Sequence, residues 1–389
     1  MSKSLFILGR QPLLGLAELE SVFDTLKVEY LSPNAAIVDE PIENVDLKKL
    51  GGSLKVGEFI EKIEVRNWEN IKNYVEKNLI NEVVSLPEGK IQLGISCYGI
   101  SVQPQQITGL ALNLKKSIKK NNRSVRIIPN IEPDLSTAQV EYNHLTGSTG
   151  YELLLVLSNN VLTVARTVYT QDISAYAARD QRRPKRDAKV GMLPPKLAQI
   201  MINLAHPSDG MTILDPFCGT GVILQESLLM GYETLGSDLD PRMVDYSYQN
   251  LEWLENEHKD LPEWKVELGD ATKHKWEGSF GAVVSESYLG APLFKAMSPF
   301  FLKEEATKVN DLVEKFLTNL ASQLNSGTRL CIAVPAWKLD KGFLSLQVLD
   351  HLEKIGYNST SLKNVPKSEL IYHRPQQLVA RQLLILEKK

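Results

Sequence analysis

The chain has 389 residues, of which 43% are hydrophobic and 23% charged, and its formal net charge is −3. That length accommodates two or three domains with separate cores. The charge balance excludes polyanion binding by bulk charge, so any nucleic-acid contact must come from local basic patches.

The opening "MSKSLFILGRQP" carries a four-residue apolar run, too short for the core of a signal peptide. "SLFILG" reads as a strand, "GLAELESVFDTL" as a helix with Leu16, Leu19, Phe23 and Leu26 on one face, and "AAIVDE" as a second strand. These make a small α/β unit ending near residue 58. A second unit follows over about 60–168. In it "KIQLGISCYG" and "RSVRIIP" are strands, and "QQITGLALNLKKSIKKN" is a helix with Ile107, Leu110, Leu114 and Ile118 at helical spacing. Ser136 is placed to cap a helix over "STAQVEYNHL", and Asn159-Asn160 turns "YELLLVLS" into "VLTVARTVY". Residues 91–114 carry no charge but include four Gln, a Pro and an Asn, which is no membrane span.

The segment "ARDQRRPKRDAKVG" sets Arg179, Arg182, Arg183, Lys185, Arg186 and Lys189 against two aspartates, a composition shift that marks a linker. From Gly191 strands and helices alternate: "MTILD", "GVILQESLLMG", "ETLGSD", "PRMVDYSYQNLEWL", "KVELGD", "GAVVSES", a long helix, then "RLCIAVPAW". Such alternation predicts a doubly wound parallel sheet. "TSLKNV" and "LVARQLLILEK" are expected as a closing antiparallel pair. Cys97, Cys218 and Cys331 are odd in number and form no CxxC, which suits buried thiols in a reducing cytosol. There is no HExxH and no GxSxG.

"ILDPFCGTGVILQE" is strand, tight turn, helix. Gly219 and Gly221 let the backbone approach a ligand closely, and the first N–H groups of the helix face it. A lone GxG also serves NAD or ATP sites, or merely a turn. The acids discriminate among these. Asp215, Asp238 and Asp270 close successive strands and so share the carboxyl edge of the sheet, where ligands bind. Asp215 stands where a dinucleotide would place its pyrophosphate, and two anions in a dry crevice repel. S-adenosylmethionine, with a sulfonium, an ammonium and no phosphate, suits this pattern better. No GK[ST] follows the turn, which excludes a P-loop.

"DPFCGTGVILQESLLMGYETLGSDLDPRMVDYSYQNL" resembles the S-adenosylmethionine site of the THUMP-domain tRNA guanine-N2 methyltransferases that modify guanosine 10. "RDQRRPKRDAKVGMLPPKLAQIMINLA" resembles the entry to their catalytic domain, "GRQPLLGLAELESV" their ferredoxin-like opening, and residues 60–168 a THUMP domain in layout. The resemblance implies a ferredoxin-like unit over 1–58, a THUMP domain over 59–168, a basic linker over 169–190 and a Rossmann-like class I methyltransferase domain over 191–389. It implies that Asp215, Cys218, Gly219 and Gly221 line the methionine end of the cofactor. Asp238 would hold the ribose hydroxyls, Asp270 with Ala271 would meet the adenine, and Met192-Leu193-Pro194 would close the methionine side. It also implies tRNA as partner, bound near its acceptor end, while the cysteine and histidine pattern leads to the expectation of a cytoplasmic protein with no metal.

Lys115, Lys116, Lys119, Lys120, Arg123 and Arg126 place six cations and no acid in twelve residues. With Arg182 and Arg183 of the linker they suit a phosphate footprint, although charge runs are more often solvated faces. At the acceptor site the family uses Asp, Asn or Ser followed by Pro-Pro and an aromatic residue. Here the place is held by Ser285-Glu286-Ser287-Tyr288, so both prolines are gone. Ser285 and Glu286 are the candidate acceptors for the amine protons, and Tyr288 the stacking platform. Two other readings stay open: a weak or inactive tRNA-binding relative that retains the cofactor, and an amino-methyltransferase of another base or of DNA.

Overall fold

A computed structural model describes residues 3–24, 27–31, 33–187, 192–291 and 299–389. Apart from two three-residue pieces, the chain divides into a unit ending at Ile173 and a unit running from Ser174 to Lys389.

In the first unit, β1 (Ser4–Leu8), α1 (Pro12–Val22), β2 (Val28–Leu31), β3 (Ala35–Val38) and β4 (Ser53–Glu64) come first. They are followed by α2 (Trp68–Asn78), α3 (Ile80–Val84), β5 (Ile91–Tyr98), α4 (Pro104–Lys120) and β6 (Val125–Ile127). The last members are α5 (Thr137–Tyr142), β7 (Gly150–Ser158) and β8 (Val161–Thr170). All eight strands form one sheet, in the order β2-β3-β1-β4-β8-β7-β5-β6. The capping signals act as read. Ser136 accepts from the Gln139 N–H at the start of α5, and Asn159 and Asn160 take φ of 49° and 63° between β7 and β8. That left-handed pair is the geometry of a tight hairpin.

Two expectations change here. The boundary at 58/59 falls inside β4, which pairs with β1 on one side and β8 on the other. Leu5, Ile7 and Ile37 also share a core with Tyr98, Leu154 and Ala165, so no break separates the two segments. Helix α1 ends at Val22, before Phe23, and Leu26 lies outside the described residues.

The division falls at the first residue of α6 (Ile173–Ala177), which leads into a π-helical turn over Ala178–Arg182 in the second unit. Then come α7 (Pro195–Ala205), β9 (Ile213–Asp215), α8 (Val222–Leu229), β10 (Thr234–Asp238), α9 (Pro241–Glu257) and β11 (Trp264–Leu268). β12 (Ala282–Glu286), α10 (Pro299–Ala321), β13 (Arg329–Lys338), β14 (Phe343–Leu344) and α11 (Leu352–Ile355) continue it. β15 (Tyr357–Ser359), β16 (Ile371–Tyr372) and β17 (Val379–Lys388) close the chain. The sheet order is β11-β10-β9-β12-β13-β17-β15. Its first five strands are mutually parallel, whereas β17 is antiparallel to β13 and β15 to β17.

The strand order reverses at β9, which has β10 on one side and β12 on the other. A crevice opens at such a switch point, outside the carboxyl ends of the strands. The linker expected over 169–190 is instead divided, because β8 extends through Thr170 and residues 173–182 fold as α6 and the π-helical turn. Lys189 and Gly191 lie outside the described residues. The closing pair is also displaced, since "TSLKNV" is irregular and the strand that pairs with β17 is the preceding Tyr357–Ser359.

Candidate active site at the carboxyl edge of the parallel sheet

β9 delivers Asp215 to the switch point, and the chain then turns sharply into α8. Gly219 and Gly221 make the turn with φ of 54° and 80°, a region where a side chain is strained. A Cβ on Gly219 would meet nothing nearer than the Phe217 carbonyl oxygen at 4.0 Å, so this part of the backbone is loosely covered. A Cβ on Gly221 would lie 3.0 Å from the Ser247 hydroxyl, so that glycine is needed for packing as well. Ser247 on α9 donates to the Gly219 carbonyl at 2.8 Å. Asn250, one turn further, donates to the Thr220 carbonyl at 2.8 Å and holds both backbone groups of Lys185. Neither residue was singled out from the sequence, although Ser247 and Asn250 stand i, i+3 on one helix, the spacing that shares a face.

The three acids take different surroundings. Asp238 accepts from the Gly219 N–H at 2.9 Å, so the second acid fixes the glycine turn directly. It also accepts from the Asp240 N–H, and burial raises its carboxyl above the ordinary range. Asp215 is almost fully enclosed, and burial pushes it up to about 7 against the opposing effect of bonds from Ser285 and the Phe217 N–H. Asp270 lies two residues past the end of β11. The Thr272 hydroxyl and N–H and the Lys273 ammonium hold its carboxyl below the usual range. Cys218 and Ala271 are buried, Ala271 within the core beside α10. Met192, Leu193 and Pro194 lead into α7, and no described hydrogen bond or ion pair ties them to the acids.

Of the acceptor candidates, Ser285 is fully buried and its hydroxyl donates to Asp215 Oδ1 at 2.6 Å, across the switch point. Glu286, the last residue of β12, is ion-paired with Arg381 of β17. Burial raises its carboxyl, and Arg381 opposes that rise. Tyr288 is 47% exposed just beyond the strand. The Glu286–Arg381 pair was not foreseen, because its members are 95 positions apart.

The cationic candidates divide. Lys116, Lys119, Lys120 and Arg126 are exposed and Lys115 is half-buried, and none of the five has an ion-pair partner among the described residues. Arg123 is different. Its guanidinium donates to the carbonyls of Val84, Leu86 and Pro87 at 2.6–2.7 Å, so it is half-buried and engaged at the end of α3. Arg182 is exposed, but Arg183 is 2% exposed with no hydrogen-bond partner among the described residues. The expectation that Arg183 meets a phosphate at the surface is therefore corrected. The π-helical turn directs Arg179 onto buried Glu226 at 2.7 Å and carries Arg183 inward after it. Among the described residues no group of three or more His, Cys, Asp or Glu is placed to hold a metal, and no helix is long and apolar enough to cross a membrane.

Residues 182–362 match a methyltransferase family, UPF0020, described as RMKL-like, methyltransferase domain. The second unit has the class I methyltransferase fold. Over its whole length the chain superposes on TrmN from Thermus thermophilus with a TM-score of 0.55 at 14% identity, covering all of both chains. Two curated relatives, both tRNA (guanine(10)-N2)-dimethyltransferases, come from Methanothermobacter thermautotrophicus and Pyrococcus abyssi. The first is 34% identical over 145 residues, 37% of this chain and 39% of the relative. The second is 31% identical over 165 residues, 42% of this chain and 43% of the relative. The chain thus spans about two fifths of the length of the curated relatives it matches.

Proposed function

We propose that the protein is an S-adenosylmethionine-dependent tRNA methyltransferase acting on the N2 amine of guanosine 10. The observation that carries this reading is the glycine turn fixed by Asp238 at the switch point of a parallel sheet, with a second buried carboxylate beside it. The donor set fits the cofactor. Carboxylate oxygens complement an ammonium, a sulfonium and ribose hydroxyls, whereas a pyrophosphate would meet two anions. When bound, the cofactor supplies an electrophilic methyl group.

The chain's own residues do the rest. Asp238 retains lone pairs for ribose hydroxyls after accepting from Gly219. Asp215, oriented by Ser285, faces the cationic end. A serine hydroxyl has one proton to donate, and Ser285 spends it on Asp215, so toward an amine N–H it can only accept. Tyr288 supplies the flat face against the base. Glu286 is engaged by Arg381, so it anchors the segment. The first unit is read as ferredoxin-like followed by a THUMP domain, which the run α2-α3-β5-α4-β6-α5-β7-β8 supports. Its α4 lysines, which have no ion-pair partner among the described residues, contact tRNA phosphates, and the protein works in the cytoplasm.

The full burial of Ser285 and the loss of both prolines favour one second reading, a tRNA-binding relative with little or no transferase activity. The cofactor assignment is tested by calorimetry on Asp238→Ala. A charge-assisted hydrogen bond contributes roughly 1.5–3 kcal/mol, so affinity for S-adenosylmethionine should fall at least about tenfold. An unchanged affinity, or a parent protein that prefers NAD, rejects the assignment.

A further inference from the structure

After β13 and before β17 the chain adds two short strands, β14 and β16, at the carboxyl edge beyond β12. β14 pairs with β13 and β16 with β17. They leave two projecting tips, 338–343 and 372–378. The first turns through Gly342 at φ 74°, with the Leu339 N–H donating to the Gly342 carbonyl at 3.1 Å. The second turns on the Gln377 N–H donating to the Arg374 carbonyl at 2.9 Å. The two are fastened together, since the Phe343 and His373 rings meet edge-on at 5.3 Å and the Lys338 N–H donates to Leu378 at 2.9 Å.

The tips carry exposed Lys338, Lys341 and Arg374 against one acid, Asp340. None of these three cations has an ion-pair partner among the described residues. Arg374 donates to the Tyr372 hydroxyl at 3.1 Å, which fixes the guanidinium beside an aromatic ring. Tyr372 also lies 5.9 Å from the Arg381 guanidinium, and Arg381 is bound to Glu286. A continuous series of contacts therefore runs from the tips to the residue that opens the Ser287-Tyr288 segment. Unpaired cations interleaved with aromatic side chains suit single-stranded nucleic acid, whose phosphates and bases take one each.

We propose that these two tips bind the RNA strand flanking the target nucleotide, with Lys338, Lys341 and Arg374 on its phosphates. This rests on the reading of the protein as an RNA methyltransferase. The arrangement favours RNA over an acidic polypeptide because the cations are spread along two tips with half-buried aromatic side chains among them.

The test is the full-length triple variant Lys338→Gln, Lys341→Gln, Arg374→Gln, titrated with unmodified tRNA at several salt concentrations. The dissociation constant should rise at least about tenfold near physiological salt, and the log–log salt slope should fall by about 2 for three lost phosphate contacts. Lysine and arginine exchanged for one another at the three positions should restore binding. Calorimetry should give an unchanged affinity for S-adenosylmethionine. Unchanged tRNA affinity overturns the proposal, as does an equal loss of cofactor affinity, which marks a purely structural role. Polyglutamate displacing tRNA from the parent but not from the variant also overturns it, in favour of an acidic polypeptide. Failure of the functional reading looks different: the parent then binds tRNA through the tips and transfers no methyl group.

Discussion

Asp215 is held up to about 7 by burial, with Ser285 and the Phe217 N–H opposing the rise. In the unfolded chain the same carboxyl titrates near 3.9. The folded protein therefore binds a proton that the unfolded chain has released, between about pH 4 and pH 7. Stability contributed by this group is fully present below pH 4 and is lost as pH rises through 7, by an amount on the order of a few kcal/mol. Asp215→Asn keeps a similar shape and removes the titration. The wild-type melting temperature should fall more steeply than that of the variant from pH 5 to pH 8, and parallel profiles in a thermal melt would count against this account. Individual residues were legible where their role is local, as with the Ser136 cap and the Asn159-Asn160 turn. Ser285 and Asp215 lie 70 positions apart, and no local pattern announces that one will spend its proton on the other. Arg183 misleads for the same reason, since a basic run does not reveal which cation the backbone will carry inward.

At the scale of elements, the first unit is stitched by a polar cluster inside its sheet. Lys55 on β4 is 2% exposed and bonds Glu152 on β7 and the Leu135 carbonyl. Ser96 and Thr167 donate to the same carboxylate at 2.6 Å. Such a cluster is costly to break from one side, because the remaining charge stays buried. Lys55→Met should destabilise by about 3–5 kcal/mol in urea unfolding. Pairing it with Glu152→Leu should recover part of that loss, and simple additivity would deny the coupling. The helices and most strands follow from apolar periodicity, which is a property of single segments. That β4 would be shared by both expected N-terminal domains was not legible. A 12-residue strand that pairs on both edges reads like one that pairs on a single edge. The strand-end acids of the second unit were legible because chain order alone brings parallel strands to a common edge, whereas β14 and β16, two residues each, fall below any periodic signal.

For the whole molecule, a net charge of −3 coexists with local groups of exposed cations on α4 and on the two C-terminal tips. Local fields of that kind govern nucleic-acid contact more than the overall balance does. The second unit carries the glycine turn, the strand-end acids and Tyr288, and the first carries the α4 lysines. The central claim is methyl transfer to a tRNA guanine, and nucleoside analysis of unmodified tRNA incubated with excess protein and S-adenosylmethionine tests it most directly. The account predicts N2-methylated guanosine at position 10, formed slowly because the acceptor segment lacks its prolines. It also predicts a rate lowered at least about tenfold in Tyr288→Ala, with cofactor affinity nearly unchanged. A wild-type protein that binds both tRNA and S-adenosylmethionine, yet yields no methylated nucleoside over many hours, would contradict it.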